Sequence, residues 1–108
     1  MLIIGFGKAG KTLAATISKK GERVALVEKD SAMYGGTCIN VGCIPSKRLI
    51  TESTVAPKEN FALQKQYYKT AIENKNALTS ALRTANYNKL IEAGVDVIDG
   101  TASFLNAS

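Results

Sequence analysis

The sequence predicts an α/β fold that opens with a βαβ unit on a parallel sheet. Three observations predict it. A short apolar run, Leu2 to Ile4, leads straight into the glycine turn Gly5-Phe6-Gly7-Lys8-Ala9-Gly10. Ala9, Leu13, Ala14 and Ile17 then recur at helical spacing. A second apolar run, Arg23 to Glu28, follows Gly21, so that strand, helix and strand fit within thirty residues.

Taken in order, Leu2 to Ile4 reads as a buried parallel strand, because it is apolar without alternation. The first helix is expected to run to about Lys20, with Gly21 where a helix C-cap belongs. Arg23 to Glu28 is the second strand. Asp30 to Thr37 is a loop with paired glycines, Gly35 and Gly36. Pro45 suits the first turn of a helix running to about Val55, and Pro57 marks its break. From Phe61 to about Asn86 the chain has no Gly or Pro, and Phe61, Leu63, Tyr67, Tyr68, Ala71, Ile72, Leu78 and Leu82 give a loose helical stripe. A separate short helix is expected near Tyr87 to Ala93, then a strand at Val95 to Ile98 and a turn at Gly100 into Thr101 to Leu105.

The 108 residues bound the answer to one small domain, and no apolar run approaches the ~20 residues of a membrane span. The N-terminus has no basic stretch before its apolar run, so no secretory signal is expected and a cytoplasmic location is the default. The net charge of +5 reads as a lysine-rich solvated surface; with 6% aromatic residues and no Trp, base stacking and hence nucleic-acid binding have little support. The chain has no His, which removes the commonest general base and metal ligand. Two cysteines cannot close a zinc site or staple a secreted domain, so no metal site is expected and redox chemistry is the better reading.

The glycine turn supports two readings. Gly5-x-Gly7-x-x-Gly10 between a strand and a helix is the dinucleotide fingerprint of Rossmann-like folds. Gly5 permits the sharp turn, Gly7 the approach of a pyrophosphate and Gly10 close helix–strand packing, while the helix start offers free N–H groups and a positive dipole end. Glu28, eighteen residues after Gly10, can accept from both ribose hydroxyls. The same residues also spell a P-loop, since Gly5 to Thr12 matches G-x-x-x-x-G-K-T, with Val95 to Asp99 as the strand and acid that would hold Mg²⁺.

Cys38 and Cys43 discriminate between them. In a regular helix, residues five apart have Cα atoms roughly 8.6 Å apart, whereas a disulfide wants less than about 7 Å. The pair can bond only if the backbone leaves a straight helix, and Gly42 permits that. The pair also lies at a helix start, where the dipole lowers a cysteine pKa.

The run Gly-Gly-Thr-Cys-Ile-Asn-Val-Gly-Cys-Ile-Pro-Ser-Lys, from Gly35 to Lys47, resembles the active-site motif of class I pyridine nucleotide-disulfide oxidoreductases of the glutathione reductase, dihydrolipoamide dehydrogenase and mercuric reductase type. Gly5 to Gly10, Glu28 and Gly100-Thr101-Ala102-Ser103-Phe104 fall where that family places its FAD contacts. Gly-Phe-Gly-Lys-Ala-Gly-Lys-Thr-Leu-Ala and Met33-Tyr34 look closest to a branch of reactive-chlorine-resistance flavoproteins similar to copper(II) reductases.

The resemblance implies a partial Rossmann-like FAD-binding domain over residues 1–108, with FAD as cofactor and NAD(P)H as co-substrate. It implies that Cys43 faces the flavin, that Cys38 is the interchange thiol meeting the acceptor, and that Lys47 lies near flavin N5. It further implies that Glu28 binds the adenosine ribose with Lys29 beside it, and that Ala102 meets the adenine through its backbone. Gly5, Gly7, Lys8, Ala9, Gly10, Gly35, Gly36, Thr37 and Gly42 would line the pyrophosphate and flavin. On this reading Lys11 and Thr12 simply begin a helix. Members of the family are several times longer, adding NAD(P)H-binding and dimerisation domains, the latter bearing a His–Glu pair. The chain is therefore read as an N-terminal fragment of a homodimeric enzyme. By itself it is expected to be inactive and, with open sheet edges, to self-associate.

Overall fold

The computed structural model describes residues 1–107, so the last residue of the expected 1–108 unit lies outside the described residues. The chain forms β1 (Leu2–Ile4), α1 (Lys8–Ser18), β2 (Ala25–Glu28), a 3-10 turn (Ser31–Met33), α2 (Thr37–Asn40), α3 (Cys43–Thr54), α4 (Phe61–Glu92) and β3 (Asp96–Asp99). The three strands are parallel in the order β1-β2-β3, as the βαβ reading requires.

The register explains which face is covered. Ile3, Leu26 and Val97 stand opposite one another across the sheet. Ile3 and Leu26 are buried with Ala14 of α1 and Leu90 of α4, and Val97 packs against them. The alternate row, with Leu2, Ile4 and Ile98, is exposed. Helices α1 and α4 thus cover one face of the sheet and leave the other open. Phe6, the residue between the first two glycines, is fully buried in this core with Val24 and Val95. Burying a side chain of that size contributes about 1.5–3 kcal/mol.

α1 ends two residues earlier than expected. The N–H groups of Lys20 and Gly21 bond the carbonyls of Ile17 and Ser18 at 3.0 Å each, a tightened last turn, and Gly21 takes φ +92°. The second strand begins at Ala25, because Val24 turns into the core and only its carbonyl meets the β3 end, accepting from Asp96 N–H at 3.0 Å. β3 is shifted one residue later than expected, and residues 101–105 form no strand.

The two helices expected between Phe61 and Ala93 are one. Asn60 caps the start through Oδ1, which accepts from Ala62 N–H at 2.9 Å, and Gly94 ends it with φ +85°. Asn86, read as the break, bonds back to the Leu82 carbonyl at 2.8 Å and stays in the helix. The expected apolar stripe is also wrong in part. Phe61, Leu63 and Tyr68 are exposed; Ala71, Thr79 and Leu90 are its buried residues. At 32 residues α4 is about 48 Å long, and the molecule measures 62 × 29 × 16 Å. Among the described residues no helix is long and apolar enough to cross a membrane.

Candidate redox and dinucleotide site

The glycine turn closes on itself through backbone contacts. Gly5 takes φ +98° and donates its N–H to the Val27 carbonyl at 2.8 Å. A Cβ on Gly10 would lie 2.2 Å from the Gly5 carbonyl oxygen, a backbone atom, so only glycine lets α1 sit this close to β1. A Cβ on Gly7 would meet nothing within 4 Å, so Gly7 keeps the turn open on its outer side and not for packing within the chain. Lys8, Ala9 and Gly10 form the first turn of α1, whose N–H groups have no partner within the helix.

Glu28, at the end of β2, braces this turn. One carboxylate oxygen accepts from Phe6 N–H at 2.9 Å and the other from Asp30 N–H at 3.2 Å. Each oxygen keeps a further lone pair for a hydroxyl donor. Gly5, Glu28, Lys29 and Ala102 line one hollow of about 300 Å³ together with Ile4, Val27, Gly100 and Thr101. Glu28, Lys29 and Ala102, expected at the adenosine end, thus share one hollow with Gly5 of the glycine turn.

Gly35 and Gly36, with φ +90° and +92°, turn the chain back onto α1. A Cβ on Gly36 would lie 2.8 Å from the Gly7 Cα. The two glycine segments therefore touch backbone to backbone, and Thr37 and Cys38 begin α2 beside the start of α1.

The cysteine geometry follows the spacing argument. The helix breaks at Val41 and Gly42, the latter at φ −108° and ψ −99°, and restarts at Cys43. The Thr37 carbonyl accepts from both Val41 N–H at 2.9 Å and Gly42 N–H at 2.8 Å, which folds the chain back between the two sulfurs. Cys38 and Cys43 are free thiols within hydrogen-bonding reach of each other. Cys38 is half-buried and Cys43 exposed. The expectation of a lowered thiol pKa is corrected for Cys38. Its pKa is raised, first by the hydrogen bond to Cys43, then by burial and by the charge of Cys43, while the Lys8 and Lys47 ammonium groups oppose the rise. The α2 helix has only four residues, too few for a strong dipole.

The P-loop reading fails on geometry. The Lys11 ammonium is already engaged within the chain: it donates to the Gly35 carbonyl at 3.2 Å and to Asn86 Oδ1 at 2.8 Å. Thr12 donates its hydroxyl to the Lys8 carbonyl at 2.7 Å. Asp99, the proposed Mg²⁺ acid, accepts from the Tyr34 hydroxyl.

Sequence reasoning missed Asn40, Tyr34, Glu52 and Arg83. Asn40 Nδ2 donates to the Tyr34 and Gly36 carbonyls at 2.9 Å each. Tyr34 stacks between Phe6 and Tyr87, with ring centroids 4.9 and 5.3 Å away. Burial and the bond to Asp99 push its pKa up to about 12. Glu52 joins α3 to α4: it pairs with Arg48 at 2.6 Å and accepts from Tyr67 at 2.9 Å and Asn74 at 3.2 Å. Asn40 lies between the two cysteines, a position that could have drawn attention to it, and Tyr34 stands just before the paired glycines; Glu52 and Arg83 carry no local signal.

Known proteins have chains similar to this one. The family described as pyridine nucleotide-disulphide oxidoreductase matches residues 1–107. The probable pyridine nucleotide-disulfide oxidoreductase RclA of Escherichia coli (strain K12) is 50% identical over 106 residues, covering 97% of this chain and 22% of its own length. A dihydrolipoyl dehydrogenase of Haloferax volcanii is 37% identical over 112 residues, covering 96% of this chain and 23% of its own. The solved Cu(II) complex of HOCl-induced flavoprotein disulfide reductase RclA from Escherichia coli superposes with TM-score 0.84 at 48% identity, over 97% of this chain and 22% of that one. The chain thus spans about a fifth of the relatives it matches. Matched over residues 1–107, the chain belongs to the pyridine nucleotide-disulphide oxidoreductase family.

Proposed function

We propose that the protein carrying this chain is an FAD-dependent oxidoreductase that passes reducing equivalents from NAD(P)H to the Cys38–Cys43 pair and on to an acceptor such as a disulfide or a metal ion. One observation carries the reading. The backbone contact between Gly7 and Gly36 joins the open side of the dinucleotide turn to the segment that, two residues later, presents Cys38 to Cys43.

The residues present fit FAD. Gly7 leaves room at the α1 start, the N–H groups of Lys8, Ala9 and Gly10 suit phosphate oxygens, and Glu28 with its hollow suits a ribose and its base. Gly35, Gly36, Thr37 and Gly42 would line the flavin side. When bound, FAD supplies two-electron transfer between a nicotinamide and a thiol pair. The protein's own part is the pair itself: the disulfide takes two electrons and two protons and becomes the two thiols, and the reverse step hands both electrons to the acceptor. Lys8 and Lys47 partly offset the raised pKa of Cys38. Cys43 is assigned to the flavin and Cys38 to the acceptor. A homodimer and a cytoplasmic setting, where a reducing thiol pool keeps such pairs cycling, complete the proposal.

The test is an anaerobic NAD(P)H titration of the full-length protein. A long-wavelength thiolate–flavin band should appear, survive Cys38→Ser and vanish in Cys43→Ser. A full-length protein with no flavin absorbance and no reducible Cys38–Cys43 bond would overturn the proposal.

A further inference from the structure

We propose that Lys11 is a positioning residue: its ammonium clamps the Gly35 carbonyl to α1 and α4, and so fixes both the Gly36 backbone against Gly7 and the start of α2 that carries Cys38. The inference rests on the function proposed above and deepens it.

Lys11 lies on the inner side of α1. Its Nζ reaches Gly35, 24 residues away in sequence, and Asn86 on α4, 75 residues away. Three separate elements therefore meet on one ammonium. The carbonyl it holds has no other partner among the described residues, and the turn around it is built of glycine. Gly35 and Gly36 have no side chains, and both adopt φ near +90°, where glycine is conformationally freest. The turn's other ties run from Gly36 N–H to the Met33 carbonyl and from Asn40, itself held by Arg83 of α4, to the Tyr34 and Gly36 carbonyls. Lys11 alone ties the Gly35 carbonyl to the helices that cover the sheet.

The Asn86 side chain is held in turn. Its Nδ2 donates to the Leu82 carbonyl at 2.8 Å, which leaves Oδ1 facing Lys11. The anchor is thus part of a rigid helix. Charge-assisted bonds of this kind are roughly twice as strong as neutral ones.

The fold holds this charge against opposition. Among the described residues the one ion pair is Arg48–Glu52, so no carboxylate neutralises Lys11. Burial lowers its pKa, and the nearby Lys89 and Lys8 charges lower it further, while a negative Cys38 opposes them. A cation kept half-buried between two carbonyl oxygens, with like charges beside it, is explained by the geometry it imposes and by its field at Cys38.

The test uses the chain itself and needs no flavin, so its failure is distinct from failure of the proposed function. Amide exchange is measured at the peptides spanning residues 34–38, and alkylation of Cys38 is followed against pH by mass spectrometry. In Lys11→Met, exchange of the Gly36 to Cys38 amides should quicken by about tenfold or more, and the Cys38 profile should move to higher pH. Lys11→Arg should return the profile toward that of the parent chain. Asn86→Ala, which keeps the charge and removes the anchor, should quicken exchange and leave the profile in place. It decides the matter if Lys11→Met does not fold. Unchanged exchange at residues 34–38 in the folded variants, or an increase spread evenly over the chain, would overturn the clamp.

Discussion

Arg83 on α4 donates to Asn40 Oδ1 at 3.0 Å, and Asn40 returns two bonds from Nδ2 to the turn before Cys38. One carboxamide thereby connects the long helix, the redox segment and the glycine turn.

Replacing Asn40 with Ala removes all three bonds and leaves two carbonyls and a guanidinium to find new partners. The expected cost is about 1–3 kcal/mol, read by urea unfolding. Arg83→Met removes one bond only and should cost less than Asn40→Ala. The reverse order would mean that Arg83 stabilises the fold through contacts other than Asn40.

Gly10 and Gly7 should separate folding from ligand binding. Gly10→Ala places a methyl 2.2 Å from the Gly5 carbonyl and should cost at least the ~1–3 kcal/mol of overpacking, seen as a large loss of melting temperature. Gly7→Ala meets no protein atom and has φ −69°, so its stability should stay within about 1 kcal/mol of the parent. FAD affinity of the full-length protein should nevertheless fall with Gly7→Ala.

Glu52 should give the fold an acid limit. Its hydrogen bond from Tyr67, then those from Arg48 and Asn74, hold its pKa below the ordinary 4.5. The folded state therefore favours the carboxylate. That stabilisation is present above pH 4.5 and is lost as pH falls through the lowered folded value. Melting temperatures of the parent chain and Glu52→Gln, compared across that window, should differ above it and converge below it.

Tyr34 acts at the alkaline end. A pKa raised from 10.0 to about 12 means that the folded state favours the protonated phenol, so its contribution is whole below pH 10.0 and fades as pH rises toward 12. In a near-UV titration one of the four tyrosines should ionise at about 12 and be absent from Tyr34→Phe. The variant should keep its stacking on Phe6 and Tyr87 and lose the bond to Asp99.

The parts legible in sequence are those whose cause is local. The β1–α1–β2 unit follows from periodicity and three glycines, and the break between Cys38 and Cys43 follows from the distance a helix would impose. The contacts that assemble the site are not local. Lys11 meets Asn86 across 75 residues and Asn40 meets Arg83 across 43, and neither lysine nor asparagine announces such a partner. Lys11 even completed a misleading motif, because a glycine turn before a helix has one spelling for two uses. Phe6 lies between two glycines with no periodic pattern to mark it, yet its ring is the floor of the core. The single helix α4 runs through Asn86, a weak helix former in isolation, whose side chain is held by Leu82 and Lys11.

The length of α4 also governs how the molecule moves through solvent. A compact chain of 108 residues has a radius of gyration of about 13 Å, whereas this one has 18.1 Å. Its translational friction is that of a larger sphere. A single copy will elute early from a sizing column and sediment slowly for its 11.5 kDa, so that light scattering, which reads mass directly, is what tells one copy from two.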